Sequence, residues 1–267
     1  MSLELGPALL FCPADRPDRY AKAAERADAV ILDLEDAVAA ADKADARRAL
    51  LEHPVDAATT IVRVNAIGTD DHALDLATLA HTGYRTIMLP KAVDATGLES
   101  FSVIALCETA AGVLASETLA AQAHVVALMW GAEDLVASLG GSSSRLDDSR
   151  YRDVAVHARA RILLAAGAHG KTAIDAVHLD IADLEGLSAE ARDAAAQGFA
   201  ATACIHPSQV ETVRDAYRPS EAEVAQARAI VAAAHDEAGV FVLDGRMIDE
   251  PIVRHARRVL QRAGVAP

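Results

Sequence analysis

Eight short apolar runs punctuate the chain, and amphipathic stretches separate them. The runs cover residues 8–12, 29–34, 60–64, 86–89, 103–107, 125–130, 173–179 and 201–205. Each is nearly continuously apolar rather than alternating, the pattern of strands covered on both faces in a parallel sheet. Helical patterns fill 16–27, 38–51, 71–81, 109–122, 152–168, 187–197 and 208–216, with a weaker one at 93–99. Asp70 and Thr109 suit N-caps, and Gly83 and Gly198 suit helix ends. Some eight rounds of strand and helix predict an α/β fold of the TIM (β/α)8 barrel type. A doubly wound open sheet is the structural rival.

The 267 residues suffice for one such barrel, a fold that routinely fills this length as a single domain. A 52% hydrophobic content excludes intrinsic disorder, and 3% aromatics demand an aliphatic, Ala-rich core. The barrel is expected over residues 1–218. Residues 219–267 are too long for a simple closure and are expected to form a C-terminal helical extension, a lid or a subunit-swapped segment.

Charge narrows the partners. Lys and Arg number 25 against 39 Asp and Glu, a net charge of −14, so a broad basic surface for nucleic acid is excluded. An anionic substrate must be held by local Arg, Lys and backbone N–H groups. No apolar run approaches the ~18 residues of a membrane span. The N-terminal residues lack a basic stretch followed by a cleavable apolar one, so a cytoplasmic location is expected. Cys12, Cys107 and Cys204 lie in apolar runs without CxxC spacing and read as buried free thiols.

Barrel chemistry gathers at the C-terminal ends of the strands. Here those ends carry Asp15 and Arg16, Glu35 and Asp36, Arg63 and Asn65, Lys91, Glu108, Glu133 and Asp134, His178 and Asp180, and His206. Glu108 and Asp134 close neighbouring strands, and two carboxylates so placed can share one Mg2+ or can merely cap helices. Arg63 suits a bidentate carboxylate or an enolate oxygen, or an internal salt bridge to Glu35 or Asp36. Gly131-Ala132-Glu133-Asp134 reads as a strand-to-helix turn whose N–H groups can hold a carboxylate. The loop 140–145 is polar and contains no GxxxxGK[ST], which excludes a P-loop; it either covers the site or is inert. Lys91, His178 and His206 read first as structural residues, and the absence of a GxSxG elbow argues against a serine hydrolase.

Taken together, several segments resemble the citrate lyase β-subunit-like proteins of the HpcH/HpaI aldolase family. They are Leu10-Phe11-Cys12-Pro13-Ala14-Asp15-Arg16, Leu32-Asp33-Leu34-Glu35-Asp36-Ala37-Val38, Arg63-Val64-Asn65, Glu108-Thr109-Ala110, Gly131-Ala132-Glu133-Asp134-Leu135, Ile205-His206-Pro207 and Gly245-Arg246-Met247-Ile248-Asp249. The family's Gly-Lys before the Ile-His-Pro segment is missing here. The resemblance implies a Mg2+-dependent barrel, with Mn2+ as the alternative ion, assembled as a homotrimer. It implies a carbon–carbon lyase acting on malyl-, citramalyl- or citryl-type CoA thioesters and releasing a 2-oxo acid. A thioesterase or synthase activity, a citrate lyase β subunit working on a carrier protein, and a CoA-free class II pyruvate aldolase are the alternatives. By motif position, Glu108 and Asp134 become metal ligands and Arg63 the group that binds substrate and stabilises the enolate. The amides of Gly131 to Asp134 hold a carboxylate, and Glu35 and Asp36 support Arg63 or relay protons. Asp249 becomes an acid delivered to a neighbour's site. Arg16, Lys22, Lys43 and Arg47 are expected phosphate contacts.

Overall fold

A computed structural model describes residues 5–236 and 239–265. The first four residues of the segment read for a leader lie outside them, as do 237, 238, 266 and 267. The chain divides into two compact units, Met1–Val213 and Arg214–Pro267.

The first unit is a closed barrel of eight parallel strands in sequence order. Strand β1 (Ala8–Pro13) leads through α1 (Tyr20–Arg26) to β2 (Ala29–Asp33), and α2 (Lys43–Glu52) leads to β3 (Thr60–Arg63). Helix α3 (Asp70–Leu79) precedes β4 (Thr86–Leu89), and β5 (Ser102–Cys107) follows. Then come α4 (Ala110–Ala121), β6 (Val125–Trp130), α5 (Ala132–Ser138), α6 (Asp153–Ala168), β7 (Thr172–Asp175), α7 (Leu184–Gln197), β8 (Ala201–Cys204) and α8 (Gln209–Tyr217). Pairing of β1 with β8 closes the ring, Leu9 opposite Ala203.

Both faces of the strands are buried, which is why the runs carry no polar alternation. Leu9, Ile31, Ile61, Met88, Ile104, Met129 and Ile174 fill the barrel interior with Ala29, Ala127, Ala201 and Ala203. The alanines offset the bulk opposite them, as close packing requires. All three cysteines are buried, and none is in a disulfide. Among the described residues no helix is long and apolar enough to cross a membrane.

Four expectations are corrected. Residues 93–99 form turns, not a helix, so β4 and β5 are joined without one. Asp94 Oδ1 accepts the Thr96 N–H (3.2 Å) and hydroxyl (2.9 Å), a local turn that competes with helix. Helix α2 begins at Lys43 rather than 38, because Asp33 draws the Glu35 and Ala37 N–H groups onto its own carboxylate (2.9 and 3.1 Å). Strand β7 stops at Asp175, four residues short of the apolar run's end. Thr69, not Asp70, caps α3, accepting from the His72 N–H at 3.2 Å, whereas Thr109 caps α4 as expected. Gly198 ends α7 in the left-handed region at φ 113°.

In the second unit, α9 (Glu221–Asp236) is followed by the hairpin β9 (Phe241–Leu243) and β10 (Arg246–Ile248), and then by α10 (Glu250–Arg262). Val253, Ala256, Val259 and Leu260 recur at helical spacing on α10 and pack with Ala227, Ile230 and Ile248 into a core of their own.

Candidate active site

The register of β2 and β3 sets the first half of the site. Asp33 and Arg63 are direct cross-strand partners at the C-terminal ends of their strands. The guanidinium therefore meets the carboxylate two-pronged, Nε to Oδ1 at 2.7 Å and Nη2 to Oδ2 at 2.6 Å. Its Nη1 lies 3.1 Å from Glu35 Oε2 in an ion pair, and its carbon sits 4.9 Å from the centroid of the Phe11 ring. Burial works against the charge of Arg63, but Asp33 and Glu35 outweigh it and hold the group more basic than an ordinary arginine. Glu35 also bonds the ammonium of Lys91, which reaches Asp36 at 3.5 Å. Burial raises the Glu35 carboxyl above its usual range, against the pull of Arg63 and Lys91.

The second half lies on β5 and β6. Glu108 follows β5 and is 3% exposed. Its Oε1 accepts the Lys91 N–H at 3.0 Å. Burial, with the charges of Asp134 and Glu35, pushes its carboxyl up to about 8. Gly131 N-caps α5, and its first turn carries Glu133 and Asp134. Gly131 is required by space rather than by backbone angle: a Cβ there would stand 2.9 Å from Glu108 Cβ and 3.1 Å from its Oε2. The glycine lets the Glu108 carboxylate close on the start of α5. No side chain caps that start, so its first N–H groups keep bonding capacity. Ser144 donates to Glu133 Oε1 at 2.5 Å and so ties the polar loop to α5.

Between the two halves lies a cavity of about 300 Å³. Asp33, Arg63, Glu108 and Gly131 to Asp134 form its polar side; Phe11, Leu106, Met129, Trp130, Val177 and Ile205 form its apolar side. Six carboxylates (Asp33, Glu35, Asp36, Glu108, Glu133 and Asp134) surround two cations, Arg63 and Lys91. The excess falls on Glu108 and Asp134. A divalent cation fits there: it balances two negative charges, and two oxygen ligands suit Mg2+, which keeps water and substrate oxygens for the rest. Among the described residues no cluster of three or more His, Cys, Asp or Glu offers a metal site, so a zinc-type cage is absent from them.

The structure thus brings Arg63, Glu108, Gly131, Ala132, Glu133 and Asp134 together, with Glu35 behind Arg63 and Asp36 outside Lys91. It places other expected residues elsewhere. Lys43 spends its ammonium on the Leu34 and Glu35 carbonyls (2.7 and 2.9 Å) and on Asn65 Oδ1 (2.7 Å), pinning the loop after β2. Arg47 pairs with Asp71 (2.9 Å) and fully buried Asp75 (3.0 Å). Both cations, expected as phosphate contacts, are engaged with the framework in this structure. Arg16 is exposed and paired with Asp18 at 3.2 Å, and Lys22 is exposed. Asp249 belongs to the second unit, where its Oδ1 caps α10 by accepting from the Ile252 N–H at 3.2 Å. His178 Nδ1 is bonded to Glu190 (2.9 Å) and His206 Nδ1 to Ser208 (2.8 Å). Sequence reasoning missed Asp33, whose signal was a charge set inside an apolar run.

The HpcH/HpaI aldolase/citrate lyase family matches residues 8–101 and 94–207. A citrate lyase subunit beta-like protein from Mycobacterium tuberculosis is 57% identical over 264 residues, 98% of this chain and 97% of that protein. A (3S)-malyl-CoA thioesterase from Cereibacter sphaeroides is 34% identical over 276 residues, covering 96% and 94%. The crystal structure of CitE from M. tuberculosis with magnesium, acetoacetate and coenzyme A superposes with a TM-score of 0.93 at 57% identity, covering 97% of this chain and 98% of that one. By sequence and by fold, this chain belongs to the HpcH/HpaI aldolase/citrate lyase family.

Proposed function

We propose that the chain is a Mg2+-dependent carbon–carbon lyase that cleaves a 3-hydroxyacyl-CoA thioester of the malyl, citramalyl or citryl type into a 2-oxo acid and acetyl-CoA or a related acyl-CoA. One observation carries the reading. Buried Glu108 and half-buried Asp134, neither paired with a cation, stand across one cavity from a guanidinium locked in place by Asp33. Magnesium and coenzyme A in the CitE structure support it.

When bound by Glu108 and Asp134, Mg2+ supplies Lewis acidity toward the hydroxy-acid oxygens. The chain's own residues do the rest. The first N–H groups of α5, from Ala132 to Asp134, hold the acid's carboxylate. A carboxylate base, which we assign to Asp249 from another copy of a homotrimer, takes the hydroxyl proton. The carbon–carbon bond then breaks, and its electron pair passes to the thioester as an enolate. Arg63 is fixed beforehand by Asp33 and Glu35, so it meets the developing negative charge without reorganising. Protonation of the enolate carbon completes the acyl-CoA. The apolar wall of Leu106, Met129 and Val177 receives the substituent of the 2-oxo acid.

The test is mass spectrometry of the products from malyl-CoA and citramalyl-CoA, with and without Mg2+. The expected outcome is metal-dependent acetyl-CoA with glyoxylate or pyruvate. Free CoA with intact hydroxy acid establishes a thioesterase instead, the activity named for the C. sphaeroides relative. No turnover of either thioester overturns the reading in favour of a carrier-protein substrate or a CoA-free aldolase.

A further inference from the structure

Lys91 bonds both halves of the site through two different groups. Its backbone N–H donates to Glu108 Oε1 at 3.0 Å. Its ammonium bonds Glu35 and lies 3.5 Å from Asp36. Glu35 in turn stands 3.1 Å from Arg63 Nη1. The backbone that makes both contacts possible is unusual. Lys91 has φ 50°, in the left-handed region. The other non-glycine residues of positive φ among those described, Ser149 and Asp244, are in exposed segments. Such a conformation persists where the surroundings over-determine it. Here buried Pro90 precedes it, and Ala92 N–H is tied to the Leu106 carbonyl of β5 at 3.0 Å. Glycine would adopt this backbone freely, yet a lysine stands there.

We infer that Lys91 is a positioning residue: its amide orients Glu108, and its ammonium shares Glu35, so that the attraction of Arg63 for an anion is not spent on two carboxylates and stays available to the substrate. This rests on the lyase reading above. Without the ammonium, Arg63 faces the charges of both Asp33 and Glu35 alone. A guanidinium shared by two carboxylates attracts a third anion weakly. With it, Glu35 is shared with a second cation, and the free edge of Arg63 remains attractive to an enolate or carboxylate oxygen. The two tasks lie on different atoms, so substitutions separate them.

The experiment titrates Mg2+, and then pyruvate at saturating Mg2+, into the native protein and the variants K91M, K91G and K91R by calorimetry, alongside thermal unfolding. K91M and K91G both lose the ammonium, and K91G takes the left-handed backbone without cost. Both are expected to bind Mg2+ within about threefold of native and pyruvate about tenfold more weakly, with K91R recovering most of that loss. In turnover, both should lower kcat with little change in KM, the mark of an interaction felt in the transition state. Native-like pyruvate affinity and kcat in K91M overturn the inference. So does a joint loss of Mg2+, pyruvate and melting temperature that K91R fails to rescue, which marks a merely structural lysine. A native protein that takes up no Mg2+ instead refutes the lyase reading, and the brace falls with it.

Discussion

The barrel contains the same construction twice, and only one copy faces the cavity with its guanidinium. Arg63 meets Asp33 two-pronged, touches a second carboxylate through Nη1, and lies over Phe11 at 4.9 Å. Arg159 on α6 meets Asp175 of β7 two-pronged (3.0 and 2.8 Å), touches Asp193 through Nη1 at 2.6 Å, and lies over Phe199 at 5.1 Å. The difference lies in what surrounds each. Asp175 closes its account with the Trp130 indole N–H at 2.6 Å, and Asp193 is mostly exposed. Around Arg63 every carboxylate is buried or shared, and Glu108 and Asp134 leave negative charge unmatched. A bidentate Arg–Asp pair is thus a structural part; uncompensated charge beside it is what marks a site.

Breaking the two pairs should give opposite results. R63M is expected to lower turnover by about 10³-fold, the scale of losing a preorganised oxyanion partner. Its stability should fall less, because Asp33 keeps two backbone donors and Glu35 keeps Lys91. R159M leaves Asp175 with the Trp130 donor and should cost about 3 kcal/mol of stability, while turnover per folded molecule stays within about tenfold. Steady-state kinetics and chemical denaturation of both variants check the pair of expectations. Equal kinetic losses would erase the distinction.

The unmatched charge can be probed by pH. The Glu108 carboxyl is raised to about 8 in the folded chain, so below that pH Mg2+ must displace its proton. Affinity for Mg2+ should therefore climb by up to about tenfold per pH unit between roughly 5 and 8, then level off. The sign for the metal-free fold is opposite. A raised carboxyl contributes stability in full below its unfolded value and loses it as pH rises through about 8. Mg2+ titrations and melting curves across this range test both directions. A smaller effect comes from G131A, whose methyl would press on the Glu108 carboxylate and should weaken Mg2+ by about tenfold or less. The smallest is W130F, which removes the indole donor from Asp175 and should cost about 1–2 kcal/mol with Mg2+ affinity unchanged.

The barrel was legible because its strands are covered on both faces and so read as apolar runs. The same property misled at β7, where Ala176 and Val177 prolong the run after the ladder has ended at Asp175. The helix expected at 93–99 failed because one side chain, Asp94, captured the backbone locally. Arg63, Glu108 and Asp134 were legible as charges closing strands. Asp33 was hidden within Ile31-Leu32-Asp33-Leu34, and only its register opposite Arg63 reveals its task. Lys43 and Arg47 follow closely on one of the resembling segments, but side chains that reach back eight residues or across to another helix leave no trace in linear spacing.

The charge imbalance at the cavity also fixes a sequence in time. With Asp33, Glu35, Asp36, Glu133 and Asp134 against Arg63 and Lys91, the metal-free mouth repels any acid that approaches it even while Glu108 holds its proton, and CoA adds phosphates to that repulsion. On the lyase reading, the ion must arrive before the thioester and leave after the 2-oxo acid. Kinetically this is compulsory ordered addition, and it makes the cation a licence for substrate to enter as well as a participant in its cleavage.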